Sequence, residues 1–416
     1  MEKIHITSSK IKDVILKYDK IDKIYIPLKD KNNNIYKKVV KKGDYVYKGS
    51  IVAINKEKDL LLHSTVSGYI EDNDVKYISN GKECECIVIS NDYKEKIEKN
   101  KIIGKKKDNY TKEDFIKDLK NNSIVGLGGS SFPTYIKYNT DNIKYLLINA
   151  VECEPFISCD KALIYNNSEE ILDGIDRILE IMNIDKAIIV IKNTSTKYIN
   201  ILNKYIGTYP NISIYTTTDN YPNGWERLVV KNTLGITYDK YPSEKGIIVS
   251  NVSTIYSIYE MLKSNKPLCE RIITIYGNGI KKKCNVKVKI GSLASDIIKN
   301  ISEYKQIKEP LFVVGGPMMG NSLPSDDVVI TPDINCLMII NDIDNKVLPC
   351  IKCGKCIDVC PSGISPVLIM NSINKTNDLK KLDVNKCIEC GLCSYICPSK
   401  IEVREFVRSA KEKVNK

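Results

Sequence analysis

The sequence predicts a multidomain protein of α/β and α+β classes, and three observations carry that prediction. The chain has 416 residues, enough for two to four domains each with its own core. Strand and helix patterns alternate through its middle. A single cysteine run occurs twice near its end.

Residues 1–100 read as a β module. The runs IYIPL, KKVVKKGDYVYKGSIVAI, LLHSTVSGYI and ECIVIS are punctuated by Gly43, Gly49, Gly68 and Gly81, the pattern of a small β-sandwich of the biotinyl/lipoyl carrier type. No lysine-centred carrier loop accompanies it, so the module reads as structural and His63 as a core or turn histidine. Residues 108–262 read as an α/β domain. TKEDFIKDLK is a helix capped by Thr111, with Glu113 and Asp114 in its first turn. An apolar strand at 145–150, the amphipathic helix SEEILDGIDRILEIMN and the strands KAIIVIKN and NISIYTT follow. Residues 268–340 return to short strands, RIITIYG, NVKVKIG and LFVVGG around the helix SLASDIIKNI, as in a β-grasp module. Residues 345–416 hold the doubled cysteine run and a closing helix, EVREFVRSAKEKVNK.

Eight of the 15 cysteines lie in that last segment. They form Cys350-x2-Cys353-x2-Cys356-x3-Cys360-Pro361 and Cys387-x2-Cys390-x2-Cys393-x3-Cys397-Pro398. Each is the C-x2-C-x2-C-x3-C-P run of two-cluster ferredoxins, whose fourth cysteine serves the other cluster. The spacing therefore assigns Cys350, Cys353, Cys356 and Cys397 to one [4Fe–4S] cluster, and Cys387, Cys390, Cys393 and Cys360 to a second. Zinc sites are usually built from two cysteine pairs without the trailing Cys-Pro, and disulfides need an oxidising compartment. Cys84, Cys86, Cys153, Cys159, Cys269, Cys284 and Cys336 are scattered and read as buried small hydrophobes.

Two further segments suggest a ligand. GLGGSSFPTYIK, with Gly126, Gly128, Gly129 and Lys137, follows a helix. It fits neither the Walker nor the dinucleotide fingerprint. Its glycines let backbone N–H groups approach an anion and Lys137 adds charge; a plain glycine-rich turn has the same composition. Asn149-Ala-Val-Glu152-Cys-Glu154-Pro stands where a strand ends, the place where α/β sheets hold ligands. In extended chain the two glutamates project to one side, toward ribose hydroxyls or a carboxamide, or simply toward solvent.

Composition excludes other classes. With 43% apolar and 27% charged residues, disorder and collagen-like or disulfide-scaffold folds are out. The best uncharged stretch, at 311–325, is broken by GGPMMG, so no transmembrane span is expected. The opening MEKIHITSSKIKD has no hydrophobic signal core. The expected location is the cytoplasm, or peripherally the cytoplasmic face of the inner membrane. The net charge of +12 is spread over the chain, with compact runs only at Lys105–Lys107 and Lys281–Lys283. Solvated lysines explain it better than a polyanion site.

The glycine loop, NAVECEP, YPNGWER and VSNVST together resemble the flavin-bearing subunit of respiratory complex I. They resemble more closely the RnfC family, the NADH-side subunits of Rnf ferredoxin:NAD oxidoreductases. The resemblance spans nearly the whole chain in order. It implies a barrel-sandwich hybrid, a complex I flavin-subunit-like α/β domain, an SLBB-like β-grasp module containing GGPMMG, and a two-cluster ferredoxin module. By it, Gly126, Gly128, Gly129 and Lys137 hold flavin or nucleotide phosphate. Asn149 contacts the flavin, Glu152 and Glu154 sit at nicotinamide and ribose, Glu226 belongs to the nucleotide site, and Asn251 and Thr254 flank the flavin phosphate.

Departures are Val151 where the complex I protein has an acid, Ser130-Ser131 for Ala-Gly, and Trp225 beside Glu226, either a ring stacker or core filler. The family's Gly-Gly-x-His-Pro opening and the long C-terminal extension of some members are also absent, which suits a soluble paralogue such as the PrdC type serving proline reductase.

The resemblance implies FMN, NAD(H) and two [4Fe–4S] clusters. The partners are then NADH and a redox protein: Rnf subunits, ferredoxin or a reductase. Hydride transfer to flavin requires no side-chain acid or base, so no catalytic residue is expected. Two readings stand beside it: a flavin-free Fe–S relay and, more remotely, a polyanion-binding protein with structural metal. Two clusters of about −2 each and an FMN phosphate of about −2 would lower the charge to about +6, which removes the case for nucleic acid.

Overall fold

The computed structural model describes residues 11–98, 110–307, 310–341 and 346–415. The lysine run at 105–107 lies outside them.

The N-terminal module is built from two antiparallel sheets. One orders the strands Lys23–Pro27, Glu83–Asn91, Gly68–Ile70 and Tyr45–Val46; the other orders Lys37–Lys38, Ile51–Asn55 and Leu60–His63. Gly68 is required by a close approach: a Cβ there would stand 1.8 Å from the Ser90 carbonyl oxygen. His63 is buried, its Nδ1 3.0 Å from Ser123 Oγ.

The α/β domain has a four-stranded parallel sheet in the order Ile212–Thr217, Lys186–Lys192, Tyr145–Ala150, Ile247–Asn251. Successive side chains go to opposite faces, and both faces are covered. Leu146 and Ile148 pack under helices Lys112–Asn121, Cys159–Met182 and Val252–Ser264. Leu147, Val190 and Val249 pack against Val229 and Val230 of helix Glu226–Leu234. Two-sided burial explains why these strands read as unbroken apolar runs rather than alternating ones.

The third module is a six-stranded mixed sheet, ordered Ile15–Lys17, Cys284–Lys289, Glu270–Tyr276, Cys336–Asn341, Pro310–Val314, Asn321–Leu323. Its edge strand comes from the far end of the chain: Ile15–Lys17 pairs in parallel with residues 285–287. The first and third modules also share one apolar core, with Ile24, Ile87 and Ile89 in the same cluster as Ile273, Val286 and Leu337.

A joint of charges ties the modules together. The Glu270 carboxylate is ringed by Lys48, Lys266, Lys287 and Lys289. These lysines hold its carboxyl well below the usual range against the opposing effect of burial. In the last module, helix Val403–Val414 packs Val407 and Ala410 onto Ile369, Leu379 and Ile401.

Candidate redox and nucleotide sites

The two cysteine runs fold alike. Gly354 and Gly391, both at φ +78°, turn the chain into the short helices Lys355–Asp358 and Leu392–Tyr395. Cys350, Cys353, Cys356 and Cys397 line one pocket; Cys360, Cys387, Cys390 and Cys393 line another. The fourth cysteine of each run thus joins the other run's first three.

Several features suit [4Fe–4S] clusters. The Lys352 N–H donates to Cys350 Sγ at 3.4 Å, and the Glu389 N–H to Cys387 Sγ at 3.3 Å. Ser362 Oγ, in the wall of the second pocket, is buried with no partner among the described residues. Burial pushes the Cys390 thiol up to about 11 and Cys393 up to about 12. Ligation requires thiolates, so loading the second pocket releases protons against that preference.

The two pockets differ in surroundings. Cys350 and Cys353 are exposed, whereas Cys390 is buried with Tyr221, Met318 and Leu392. The Tyr221 hydroxyl donates to the Cys390 carbonyl at 2.7 Å. Gly391 lies under the 315–320 loop, where a Cβ would meet the Met318 carbonyl oxygen at 2.3 Å. Arg404 clamps the same loop, donating to the carbonyls of Met318 (2.6 Å) and Gly320 (3.0 Å).

The other face of that loop is held by Glu154. Its carboxylate accepts from the N–H groups of Met318 (3.2 Å) and Met319 (2.7 Å). Gly316 makes room for it, since a Cβ there would stand 2.3 Å from Glu154 Oε2. Burial pushes the Glu154 carboxyl up to about 7, although the two N–H groups favour its ionised form.

Glu152 and Glu154 line a pocket of about 860 Å³ beyond the end of strand Tyr145–Ala150. Glu152 Oε1 accepts from the Asp160 N–H at 3.0 Å, while Oε2 is buried with no partner among the described residues. Burial raises this carboxyl too. Lys161, Lys192 and Lys197 bring positive charge to the pocket. Phe156 stacks flat on Tyr276, the ring centres 4.3 Å apart and the planes 7° from parallel. Asp13, from the segment preceding the first strand, accepts from the Tyr198 hydroxyl at 2.7 Å and pairs with Lys197 across the pocket edge.

The other residues expected at the site stand behind this wall. Gly128 packs on Asn251, with room for no more than a tight Cβ at 3.2 Å from the asparagine's own. Leu127 N–H donates to Thr254 Oγ1 at 2.9 Å. Asn251 caps helix Val252–Ser264 through Ser253 N–H and donates to Asp160 Oδ2 at 2.7 Å. A continuous path, Gly128–Asn251–Asp160–Glu152, therefore joins the glycine loop to the pocket.

Lys137 turns elsewhere. It donates to the Val249 carbonyl at 2.7 Å and to Glu226 Oε2 at 3.2 Å. Glu226 also accepts from the Tyr238 hydroxyl at 3.2 Å. Asn149 donates to the Gly224 carbonyl at 2.8 Å. Gly126 closes the loop, its N–H donating to the Phe132 carbonyl at 2.8 Å, while a side chain at Gly129 would meet open space. Trp225 is half-buried at the start of helix Glu226–Leu234 and outside the pocket wall. Val151 is buried in the apolar cluster of Leu147 and Val190.

Spacing alone does not single out Asp160 or Arg271. Asp160 sits in the segment VECEPFISCDKAL, yet its partners Asn251 and Ser253 (2.6 Å) are 91 and 93 residues away. Arg271 is buried and reaches the Leu127 carbonyl at 3.4 Å.

Comparison with known proteins agrees with this anatomy. Residues 3–94 match the RnfC barrel-sandwich hybrid domain, 119–260 the Nuo51 FMN-binding domain, and 349–401 a 4Fe-4S dicluster domain. The chain is 29% identical to the C subunit of the proton-translocating ferredoxin:NAD(+) oxidoreductase complex of Clostridium ljungdahlii, over 84% of this chain and 78% of that one. It is 30% identical to the C subunit of the ion-translocating oxidoreductase complex of Haemophilus influenzae strain PittEE, over 82% of this chain. There it spans only 54% of the relative's length. The fold is shared with a chain of the NAD+-reducing [NiFe]-hydrogenase crystal structure, with a TM-score of 0.50, 14% identity, 73% of this chain and 62% of that one. The chain carries an FMN-binding domain and a [4Fe–4S] dicluster domain, and it is similar over most of its length to the C subunits of ion-translocating oxidoreductase complexes.

Proposed function

We propose that the chain is the RnfC component of an Rnf-type complex, an electron-transfer flavoprotein that moves electrons between NADH and a protein acceptor. The observation that carries this reading is the shared loop. Glu154, in the wall of the 860 Å³ pocket, grips Met318 and Met319, and the same loop rests on Gly391 beside Cys390. The nucleotide pocket and the inner cysteine pocket are thus two sides of one rigid contact. When bound, FMN supplies the exchange of hydride for single electrons, the unit that [4Fe–4S] clusters carry.

The chain's own residues bind and orient. The unpartnered Glu152 Oε2 accepts from a ligand donor such as a ribose hydroxyl, the pocket lysines balance phosphate charge, and Phe156 on Tyr276 offers a flat apolar wall. Gly126, Gly128, Gly129, Asn149, Asn251 and Thr254 hold the strand-end backbone that faces the flavin, with Lys137 and Glu226 fixing its far side. Cys350, Cys353, Cys356 and Cys397 ligate an outer cluster, and Cys360, Cys387, Cys390 and Cys393 an inner one. Exposed Cys350 and Cys353 mark where a redox partner docks. No helix among the described residues is long and apolar enough to cross a membrane, so a membrane complex would hold this protein through its partners, at the cytoplasmic face.

The test is the visible spectrum of anaerobically purified protein, before and after NADH. Bound flavin with NADH-dependent bleaching is expected. Glu152→Gln should slow cluster reduction by NADH at least tenfold with the iron content unchanged. An unchanged rate removes the pocket from the electron path.

A further inference from the structure

The two cysteine runs share one turn, so they can be compared position by position. Lys352 and Glu389 hold the same place, just before the second cysteine, and both are left-handed, at φ +56° and +55°. Their side chains fare differently. Glu389 accepts from Arg408 at 3.0 Å and from Lys411 at 2.8 Å. Lys352 is exposed and makes no ion pair among the described residues. Two further places differ in the same sense. Ile388 packs against the cluster of Tyr221 and Met318, whereas the matching Ile351 is 66% exposed. Leu392 is buried in that cluster, and Lys355 stands exposed in its place. The turn itself therefore requires neither a bare isoleucine nor the two lysines.

Neighbouring chain extends this face. The Leu348 N–H donates to the Ser399 carbonyl at 3.0 Å, and Ser399 Oγ donates to the Pro349 carbonyl at 2.9 Å. Ser399 lines the outer cysteine pocket, so these bonds hold residues 347–349 beside it. Val347 and Leu348 are 60% and 50% exposed, and Ile357 is exposed as well. Lys346 and Lys400 are exposed next to them. Between residues 346 and 360 the chain has three lysines and one acid, Asp358. Asp342 and Asp344 lie outside the described residues. Exposed Cys350 and Cys353 thus sit among bare aliphatic side chains and uncommitted cations. An apolar centre with a charged rim is the anatomy of a protein interface.

We infer that this face docks an acidic redox protein, whose own contact surface has an aliphatic centre rimmed by carboxylates. The inference rests on the reading that the outer cysteine pocket holds a cluster in an electron path. The sign of the partner follows from charge: Lys352 and Lys355 line the pocket and no acid does, so they attract and steer an anionic surface. The aliphatic centre, Ile351 with Val347 and Leu348, excludes water where the two proteins meet. A bilayer is a poorer match, because no described residue of the face is a tyrosine or tryptophan of the kind that anchors at a membrane interface.

The probe is a two-cluster ferredoxin with a large excess of Asp and Glu, titrated calorimetrically into the anaerobically purified holoprotein. Saturable binding is expected, weakening at least tenfold between about 50 and about 500 mM salt. Lys352→Glu with Lys355→Glu should weaken it about tenfold, with iron content confirming that both clusters are loaded. Ile351→Ser should weaken it about fivefold and leave the salt dependence unchanged. Lys380→Glu with Lys381→Glu is the charge-matched control, on exposed lysines of helix Thr376–Lys381 in the same module, and should leave binding unchanged. An equal loss in that control, or equal binding of a basic c-type cytochrome, overturns the docking face. So does an absence of ferredoxin binding, including the case where vesicles of phosphatidylglycerol bind in its place. None of these results bears on the NADH-dependent bleaching, which tests the electron-transfer reading without any protein partner.

Discussion

One cysteine motif occurs twice in this chain, and the two copies meet different surroundings. The first run begins at a surface where Cys350 and Cys353 face solvent. The second is overlain by the 315–320 loop, touched by Tyr221 and clamped by Arg404. Local sequence dictates the same turn in both, down to glycines at the same φ. Contacts from distant parts of the chain then make one pocket inner and the other outer. A ligand motif fixes coordination; the rest of the fold fixes which way the cluster faces.

Four measurements break or sharpen that contrast. The largest effect should come from the ligands themselves. Cys390→Ala and Cys353→Ala should each cost one cluster, lowering iron from about eight to about four per chain. Cys390→Ala should lower the melting temperature further, because it also disrupts the packing of Tyr221, Met318 and Leu392. Equal losses would mean that the inner pocket's contacts carry no stability.

The glycines come next. Gly354→Ala meets nothing within 4 Å, so only the backbone penalty of about 1 kcal/mol applies. Gly391→Ala adds a collision with the Met318 carbonyl and should cost about 3 kcal/mol or more by urea unfolding.

Glu154 predicts a pH dependence. Its folded pKa of about 7 lies above the ordinary 4.5, so between those values the folded state binds more protons than the unfolded one. Its contribution to stability is therefore greatest below pH 4.5 and declines as pH rises through 7, by on the order of 3 kcal/mol in all. Urea midpoints at pH 5 and pH 8 should converge in Glu154→Gln relative to wild type. An identical slope in both would show that this carboxyl does not titrate in the window.

The smallest effect is Tyr221→Phe, which removes the hydrogen bond to Cys390. It should cost about 1 kcal/mol and shift the reduction potential of one cluster only.

The sequence made the cysteine arithmetic, the α/β alternation and the β-rich first and third modules legible, because each rests on spacing within a few dozen residues. Period and spacing also placed Asn149, Glu152 and Glu154 at a strand end. They said nothing of what Glu154 touches, since Met318 is 164 residues away. Nor did they show that the glycine loop reaches the pocket through Asn251 and Asp160, or that Lys137 turns to Glu226. Lysine in a glycine-rich segment suggests an anion whether or not a carboxylate waits elsewhere in the fold. The pairing of residues 15–17 with 285–287 was invisible for the same reason. Three residues carry too little pattern to name a partner.

That short strand governs how the chain can be taken apart. Ile15–Lys17 belongs by position to the first module and by hydrogen bonding to the third, while Asp13 just ahead of it fastens the edge of the pocket that Glu152 and Glu154 line. The α/β domain lies between the two ends of a stitch that its neighbours have already closed. The first module is therefore no detachable cassette. A chain begun after residue 20 would leave a bare sheet edge and an unlatched pocket at once, and recombination that exchanged the barrel alone would have to bring its own matching strand.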